Sequence, residues 1–571
     1  MARPTAPSIP TKLLTTLATL VAMAVLVAPS AHATWANNGS PASLADSNQV
    51  LPRSIPDGSG GMFVAWEDYR SGNADIYAQH LDAAGNPLWT ANGVAVVTQT
   101  GGQESPVLTK DGSGGVIVAW QDSRSGATYD IYAQGLNAAG ATRWASGGVP
   151  ICTASGNQIL QVAADDAAGG AYIAWRDLRG LDADIYVQRV DNAGTTLFSL
   201  NGNAVCDTTG QQTDVRILND QQGGAFLVWR DRRTPANGYD LYAQRVGPTG
   251  TMLWTKNGIP VATVLTDQLG PSMVSDGRYG FIVAWFDQRG ASYDVYAQRV
   301  RQTGATAWTA NGVSVCAADS GQQAPLVATD GLAGAIVTWT DLRSGSSVPD
   351  IYAQRVDSLG VAKWTANGVA ACAADSAQFA QTIVADKSGG AIIGWDDGRA
   401  GFREVWAQHL NSSGVALWAA TGLKIATAAG QRNLRTAVDD GYGGCVFAWE
   451  DFRNGTNSDV YAYRVTSIGT GVAEWTTPAA PIRLYPARPN PFNPQTVLSF
   501  RLDQAGPVRL ALFDVQGRMV RELVHGNRPA GLNDAAWDGT DSRGAPCASG
   551  VYFALLQAGS TRRQTSLTLL R

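Results

Sequence analysis

The chain has 571 residues, more than one hydrophobic core can organise. Charged residues make up 16% of it, glycine is abundant at 64, and the net charge is −5 with no long run of either sign. That balance suits short strands joined by tight turns, and it excludes the basic footprint that nucleic-acid binding needs.

The N-terminus reads as a secretory signal peptide over residues 1–33. Arg3 and Lys12 give a positive start, Leu13 to Val27 is mostly apolar, and Ala31-His32-Ala33 is a small-x-small cleavage site. The apolar stretch is short for a membrane span, and no other segment is apolar enough to cross as a helix. The mature chain is expected to begin near Thr34 and to be exported.

Residues 34–475 are dominated by one motif in eight copies: an apolar run, Trp-x-Asp-x-Arg, a short turn, then Asp-Ile-Tyr-Ala-Gln or a variant. The copies centre on Trp66, Trp120, Trp175, Trp229, Trp285, Trp339, Trp395 and Trp449, spaced by 54 to 56 residues. Each copy carries four strand signals. Strand A is a run such as Ser105 to Thr109, and an Asp-x-x-Gly-Gly turn (Asp57 to Gly61, Asp111 to Gly115, Asp386 to Gly390) follows it. Strand B, for example Gly115 to Trp120, is apolar on both faces, as a strand packed on both sides must be. Strand C is Asp130 to Gln134, and strand D is predicted from Leu88-Trp89 through Val96 after an Asp/Asn-x-x-Gly turn. The fold class predicted is all-β: an eight-bladed β-propeller followed by a small immunoglobulin-like β-sandwich. A lone D-type signal, Trp35 to Gly39, precedes the first strand A and is expected to close the ring beside Val460. All eight copies keep the core residues, which argues against seven blades and a decayed unit.

Six cysteines in an exported chain invite a disulfide reading. The repeat opposes it. Cys152, Cys206, Cys316 and Cys372 share one repeat position, filled elsewhere by Ser43, Val97, Ala262 and Ala426. Equivalent positions in adjacent sheets lie about 10 Å apart, too far for a bridge, so free thiols are expected. The tryptophans are read as core rather than as a line of sugar-stacking rings, each burying area worth at most about 4–6 kcal/mol.

Two residue sets recur at loop positions. The pairs Asp68/Arg70, Asp122/Arg124, Asp177/Arg179, Asp231/Arg233, Asp287/Arg289, Asp341/Arg343, Asp397/Arg399 and Asp451/Arg453 are expected to brace the B–C turn through arginine–carboxylate bonds. Seventeen residues before the strand-B Trp stand Gln49, Gln103, Gln158, Gln212, Gln268, Gln322 and Gln378, with Arg432 in the eighth copy. These eight are the candidate ligand contacts, weighed against blade-to-blade hydrogen bonding. No catalytic residue, metal ligand or cofactor site is predicted. Gly-x-Ser-x-Gly, His-Glu-x-x-His, Cys-x-x-Cys and P-loop patterns are missing from the sequence, and an arginine in the turn opposes a calcium ion. His80 and His409 are repeat variation. The seventh copy is the most irregular, with Asp396-Asp397-Gly398-Arg399, Glu404 and Trp406.

The repeat ends after Trp475, and residues 476–483 form a Pro/Ala/Thr linker. From 484 to 571 the matching residues are Pro489-Asn-Pro-Phe-Asn-Pro494, Val508 to Asp514, Gly517 to Arg521, Ala530-Gly531, Trp537-Asp-Gly539 and Ser549 to Phe553. On these the segment resembles the immunoglobulin-like domain shared by flagellar hook-capping-type proteins and type IX secretion sorting tails. That resemblance implies passage across the outer membrane of a Gram-negative bacterium, through the type IX machinery, with release or surface anchoring. It departs from the family in the last strand, Arg562 to Arg571, which lacks the usual lysine. The repeats themselves look like secreted propeller repeats of the periplasmic Tol type, and no residue roles carry over. The functional expectation is a non-enzymatic, exported or surface-bound binding protein whose partner is a glycan or surface protein. Its alternatives are a polysaccharide-active propeller enzyme and a structural surface-layer component.

Overall fold

A computed structural model describes residues 35–468 except 37, 346 and 347, and residues 482–571 except 486, 503–505, 530, 559 and 560. The predicted signal peptide and most of the predicted linker lie outside the described residues. The chain divides into two compact units, Met1–Gly471 and Val472–Arg571.

The first unit is propeller-like and all-β, with one 3-10 turn (Pro235–Asn237) as the helical element among the described residues. It holds eight four-stranded antiparallel sheets. In the second, strands A to D are Gln103–Lys110, Val116–Asp122, Asp130–Leu136 and Val149–Cys152. Strand B is buried along its whole length, because apolar side chains leave it on both faces. Phe63, Ala65 and Ile76 of the first sheet pack on Val116, Val118 and Trp120 of the second. The same contact recurs between later sheets.

The A strands touch one another all the way round. Gln49–Pro56 meets Gln103–Lys110 on one side and Arg432–Asp439 on the other. They form the inner wall, and the last sheet closes on the first through chain from before the first strand A. Ser40–Ser43 pairs with Asp459–Val465, Ser43 opposite Val460. Trp35 Nε1 donates to Ala83 O in the first sheet, as Trp89 Nε1 donates to Ala138 O in the second.

Strand D differs from its predicted span. Trp89 lies in a turn, and the strand begins only at Val94. Asn92 and Gly93 both take positive φ, 64° and 83°, which breaks the pleat. The strand-C glutamine holds this turn: Gln79 Oε1 accepts from Trp89 N, and its Nε2 donates to Thr90 O. The equivalent of Gly93 in the second sheet, Gly148, has no room for a side chain, since a Cβ there would sit 2.5 Å from the Trp120 ring. Strand A is longer than predicted and begins at the glutamine itself. It carries a bulge two residues on, where Leu51, Ser105, Leu160, Asp214, Ala324 and Ala380 all have φ near 50°. Each left-handed residue of this kind costs roughly 1–3 kcal/mol, a cost that persists where structure or function requires it.

The second unit is two sheets. One holds Ile482–Leu484, Thr496–Leu502 and Gly531–Trp537, and the other holds Met519–Arg528, Gly506–Phe513, Gly550–Ala558 and Thr561–Leu569. Their shared core includes Leu498, Phe500, Leu510, Leu512, Trp537 and Leu567.

Candidate functional site

The Trp-x-Asp-x-Arg motif builds the same cluster eight times. Asp68 is fully buried. Its Oδ2 accepts from Trp66 Nε1 at 2.9 Å and its Oδ1 from Arg70 N at 3.0 Å. The Arg70 guanidinium grips both oxygens at 2.7 and 2.6 Å, donates to Asn92 O in the D turn, and lies 3.9 Å over the Tyr77 ring. All eight pairs lie at 2.5–2.7 Å. In most copies one arginine thereby ties strand B, strand C and the D turn, and its donors are occupied inside the unit.

Seven copies make one uniform brace, the second included, and the fifth departs from it. Arg124 holds Asp122 at 2.8 and 2.5 Å and lies 4.0 Å over the Tyr132 ring. It reaches the D turn at Gly147 O, at 2.9 Å, because Gly147 stands where the first copy has Asn92. Arg289 holds Asp287 at 2.9 and 2.6 Å and lies 3.6 Å over the Tyr296 ring. Its hydrogen bonds among the described residues all go to Asp287, so in the fifth copy the pair joins strands B and C and leaves the D turn to the glycine and Trp285. The two arginines also differ from their carboxylates in burial. Their side chains are 20% and 23% exposed, while Asp122 and Asp287 are sealed. The brace is therefore a buried anion under a cation whose edge meets solvent.

Five cysteines are buried, Cys547 is partly buried, and all six are free thiols. Cys206 lies 3.4 Å from Arg233. Burial pushes the Cys152 and Cys206 thiols up to about 12 and those of Cys316 and Cys372 up to about 11, so these are packing groups rather than nucleophiles.

A second set of ion pairs, not anticipated from the repeat, lies at the other end of each sheet. The Asp that opens the Asp-x-x-Gly-Gly turn pairs with the Arg or His after the strand-C glutamine: Arg189 to Asp166 at 2.8 Å, Arg245 to Asp220 at 2.7 Å, and His409 to Asp386 at 2.9 Å. Gly135 breaks the pattern in the second sheet, and Arg143 supplies the charge to Asp111 from the next turn, at 3.4 Å. The recurrence of Arg or His at that position was the available signal. His80 and His409 belong to this set, not to a catalytic pair.

The eight candidate ligand contacts are all fully buried. Gln49 Nε2 donates to Ser47 O at 2.8 Å and Gln212 Nε2 to Gly210 O at 2.9 Å. Gln103 and Gln322 do the same to Gly101 O and Ser320 O at 3.2 and 2.9 Å. Gln158 reaches Gly156 O at 3.3 Å, and Gln268 and Gln378 bond Thr266 O and Ser376 O. Arg432 donates to Gly430 O and to Asp451 Oδ2, both at 3.1 Å. The glutamine Nε2 bonds run within each loop rather than between blades, Arg432 also reaches strand B at Asp451, and Oε1 of Gln49, Gln158, Gln212, Gln268, Gln322 and Gln378 has no partner among the described residues. A ligand reaches these groups only if the loop opens.

The residues right after the strand-B Trp, where the repeat does not hold, are Glu67, Gln121, Arg176, Arg230, Phe286, Thr340, Asp396 and Glu450. Four of them accept from the bulged backbone of the next strand A. Glu67 Oε1 takes Ser105 N at 2.8 Å, Gln121 Oε1 takes Leu160 N at 2.8 Å, Asp396 Oδ1 takes Leu434 N at 2.6 Å and Glu450 Oε1 takes Leu51 N at 2.8 Å. Arg176 and Arg230 stand on sheets three and four, across the ring from Asp396 and Glu450 on sheets seven and eight. Each has a buried Nε without a partner. Arg176 reaches Gln211 at 3.3 Å and Arg230 lies 4.3 Å over the Tyr239 ring. Arginine thus stands at this position on one arc and carboxylate on the other, with an opposite charge near Asp396, Glu450 and Arg230 from Arg403, Arg435 and Asp214.

Asp396 is the most perturbed carboxyl of this ring. Burial pushes it up to about 7, against the Leu434 N–H and the charge of Arg403 at 3.7 Å, and its Oδ2 has no hydrogen-bond partner. Burial also raises Asp184, Asp240 and Asp459, at the head of strand C, to about 6. Desolvation acts on Asp57 and Asp386 too, but their histidine and backbone hydrogen bonds hold them below the ordinary range. The raised group stabilises the fold at low pH and loses that contribution as pH rises through 6 to 7. The lowered group stabilises above the usual carboxyl range, about pH 4, and loses it as pH falls further. The melting temperature is expected to peak at about pH 4, and Asp396→Asn should flatten the fall between about pH 4 and 7. A melting temperature that climbs steadily to pH 8 would contradict this assignment.

Among the described residues no group of three or more His, Cys, Asp or Glu side chains could hold a metal ion, and no helix is long and apolar enough to cross a membrane.

Residues 490–561 match the FlgD Ig-like domain. No curated protein matches the chain. Among solved structures, the chain is similar to PorZ, an essential bacterial surface component of the type IX secretion system of Porphyromonas gingivalis, at 14% identity and TM-score 0.38 over 93% of this chain and 71% of that one. It is similar to the α-L-arabinanase of Penicillium chrysogenum at 14% identity and TM-score 0.34, over 54% of this chain and 93% of that one. The α-L-arabinofuranosidase Arb93A of Fusarium graminearum follows at 12% identity and TM-score 0.31, over 54% and 93%. These likenesses correct the expectation of a non-enzyme. Glycoside hydrolases recur among structures of this kind, so missing sequence motifs do not set the chain apart from enzymes, and at such identities no activity is established either.

Proposed function

We propose that the chain is an exported or surface-bound eight-bladed propeller that takes a ligand at the inner mouth of its channel, on the face of the B–C and D–A loops. One observation carries this reading. The repeated Asp–Arg pairs are occupied within their own units, while the unrepeated residues after the strand-B Trp place arginines on sheets three and four and carboxylates on sheets seven and eight. The Asp–Arg pairs are braces in this reading, and the glutamines shape the loops behind the mouth. A repeat framework with a variable ring is how rigid scaffolds carry specificity. A glycan is the proposed partner, since a ring of separate polar groups adds weak contacts. Binding on a glycan array is expected to fall at least about ten-fold in the double variant Arg176→Gln/Arg230→Gln, with melting unchanged. Undiminished binding in that variant rejects the mouth as the site.

A polysaccharide-active enzyme is the second reading, favoured by Asp396, whose carboxyl near neutrality suits proton donation. The C-terminal unit is proposed to direct sorting across the outer membrane by the type IX route. A chain ending at residue 471 is expected to stay in the periplasm of a type IX-competent host, and surface display of that chain would overturn the assignment.

A further inference from the structure

The inner strands of sheets one to four enclose a pocket of about 360 Å³ in the channel, lined in part by Leu51, Arg53, Leu160, Gln161 and Arg216. That is within the size range of small-molecule sites, roughly 300–1,000 Å³. Arg53 is exposed by accessible area, yet surrounding protein desolvates its guanidinium and, with Arg435, lowers its basicity. Both hold for a side chain standing in a lumen. Its one protein hydrogen bond among the described residues is to Pro52 O at 3.4 Å. The carboxylates around it are engaged elsewhere. Glu450 is held by Arg435 at 2.9 Å, by Asn433 and by Leu51 N, and Glu67 by Tyr69 and Ser105 N. Arg216 is neutralised by Asp214 at 2.9 Å. Arg53 is therefore a lumen cation without an ion pair of its own.

Gln161 is 4% exposed, and its Nε2 donates to Ser105 O at 2.5 Å. Its Oε1 has no partner. A buried amide oxygen and an unpaired guanidinium lining one pocket ask for a ligand that offers both a hydroxyl donor and a carboxylate. Leu160, half exposed, and Leu51 add an apolar surface that suits the C–H face of a pyranose ring.

We propose that this pocket binds a carboxylated sugar, its carboxylate on Arg53 and a ring hydroxyl donating to Gln161 Oε1. The inference rests on the reading of the channel mouth as the ligand site and names its ligand class. Titration calorimetry of the full chain with D-galacturonate, D-galactose and acetate tests it. Galacturonate is expected to bind at least about ten-fold tighter than either of the others. Arg53→Gln should erase the preference for galacturonate over galactose, and Arg53→Lys should keep part of it. Gln161→Leu should weaken galacturonate and leave acetate unchanged. Thermal melting of each variant confirms that it is folded, and the two positions act independently, so an unfolded variant at one leaves the test to the other. Galacturonate binding no tighter than galactose, or a preference that survives Arg53→Gln, would overturn the inference. If a neutral glycan binds and responds to the Arg176/Arg230 variant, the uronate inference falls while the mouth reading stands. If no ligand responds to any mouth variant, both fall.

Discussion

Replacing Arg233 with alanine is expected to cost about 3–5 kcal/mol of stability, the usual penalty for breaking a buried pair from one side. Asp231 is fully buried and would be left with Trp229 Nε1, the Cys206 thiol and the backbone of its own turn. The variant also loses the bond to Asn257 O, which fixes the D turn, and the stacking on Tyr242 at 3.7 Å. Removing both charges, Arg233→Met with Asp231→Leu, should recover part of the loss, because the penalty lies in the orphaned carboxylate rather than in the missing attraction. Arg289→Ala should cost less than Arg233→Ala, since Arg289 has no bond to its D turn to lose. Chemical denaturation measures all three variants. Ligand binding per folded molecule should be unchanged. Wild-type stability with lost binding would make the turn ring a site instead of a brace.

Deleting residues 35–45 is expected to open the ring. The strand Asp459–Val465 would lose its partner Ser40–Ser43 and become a free edge. Arg453 would lose Asn38 O at 2.7 Å, and the backbone of Thr427 and Ala428 would lose the Asn38 side chain at 2.7 and 2.9 Å. Trp35, buried against the first sheet, would go as well. Light scattering should show edge-to-edge association, with a lower melting temperature than the full chain. A monodisperse monomer with unchanged melting would show that the closing strand is dispensable.

The repeat makes the four-stranded unit, the free cysteines and the closing strand legible, because each is dictated by local pattern and by the count of copies. Other features stay hidden. The Trp89 turn reads as strand, since alternation cannot reveal two consecutive positive φ angles at Asn92 and Gly93. Gln49 and its counterparts do begin the inner strand, but a rotamer that folds the amide back onto its own loop is invisible to periodicity. Arg289 reads as a copy of Arg70, yet whether the arginine reaches the D turn, as Arg124 does at Gly147 O and Arg289 does not, is not written in the motif. Asp396 reads as the filling of a variable slot. Its weight comes from Leu434, Arg403 and the ring around it, which only closure brings together. A repeat displays what every unit shares. The residues that differ acquire meaning from their neighbours on other units. The same limit holds for catalysis, where a scan for local motifs points to a non-enzyme.

The most direct test of the channel-mouth account is amide hydrogen exchange of the full chain with and without a saturating ligand found by screening. The account predicts added protection at the inner strands near residues 51–53, 105–107, 160–162 and 214–216, with strand D and its turns unchanged. Protection confined to the outer D strands, or to the Asp-x-x-Gly-Gly turns of the opposite face, would contradict it.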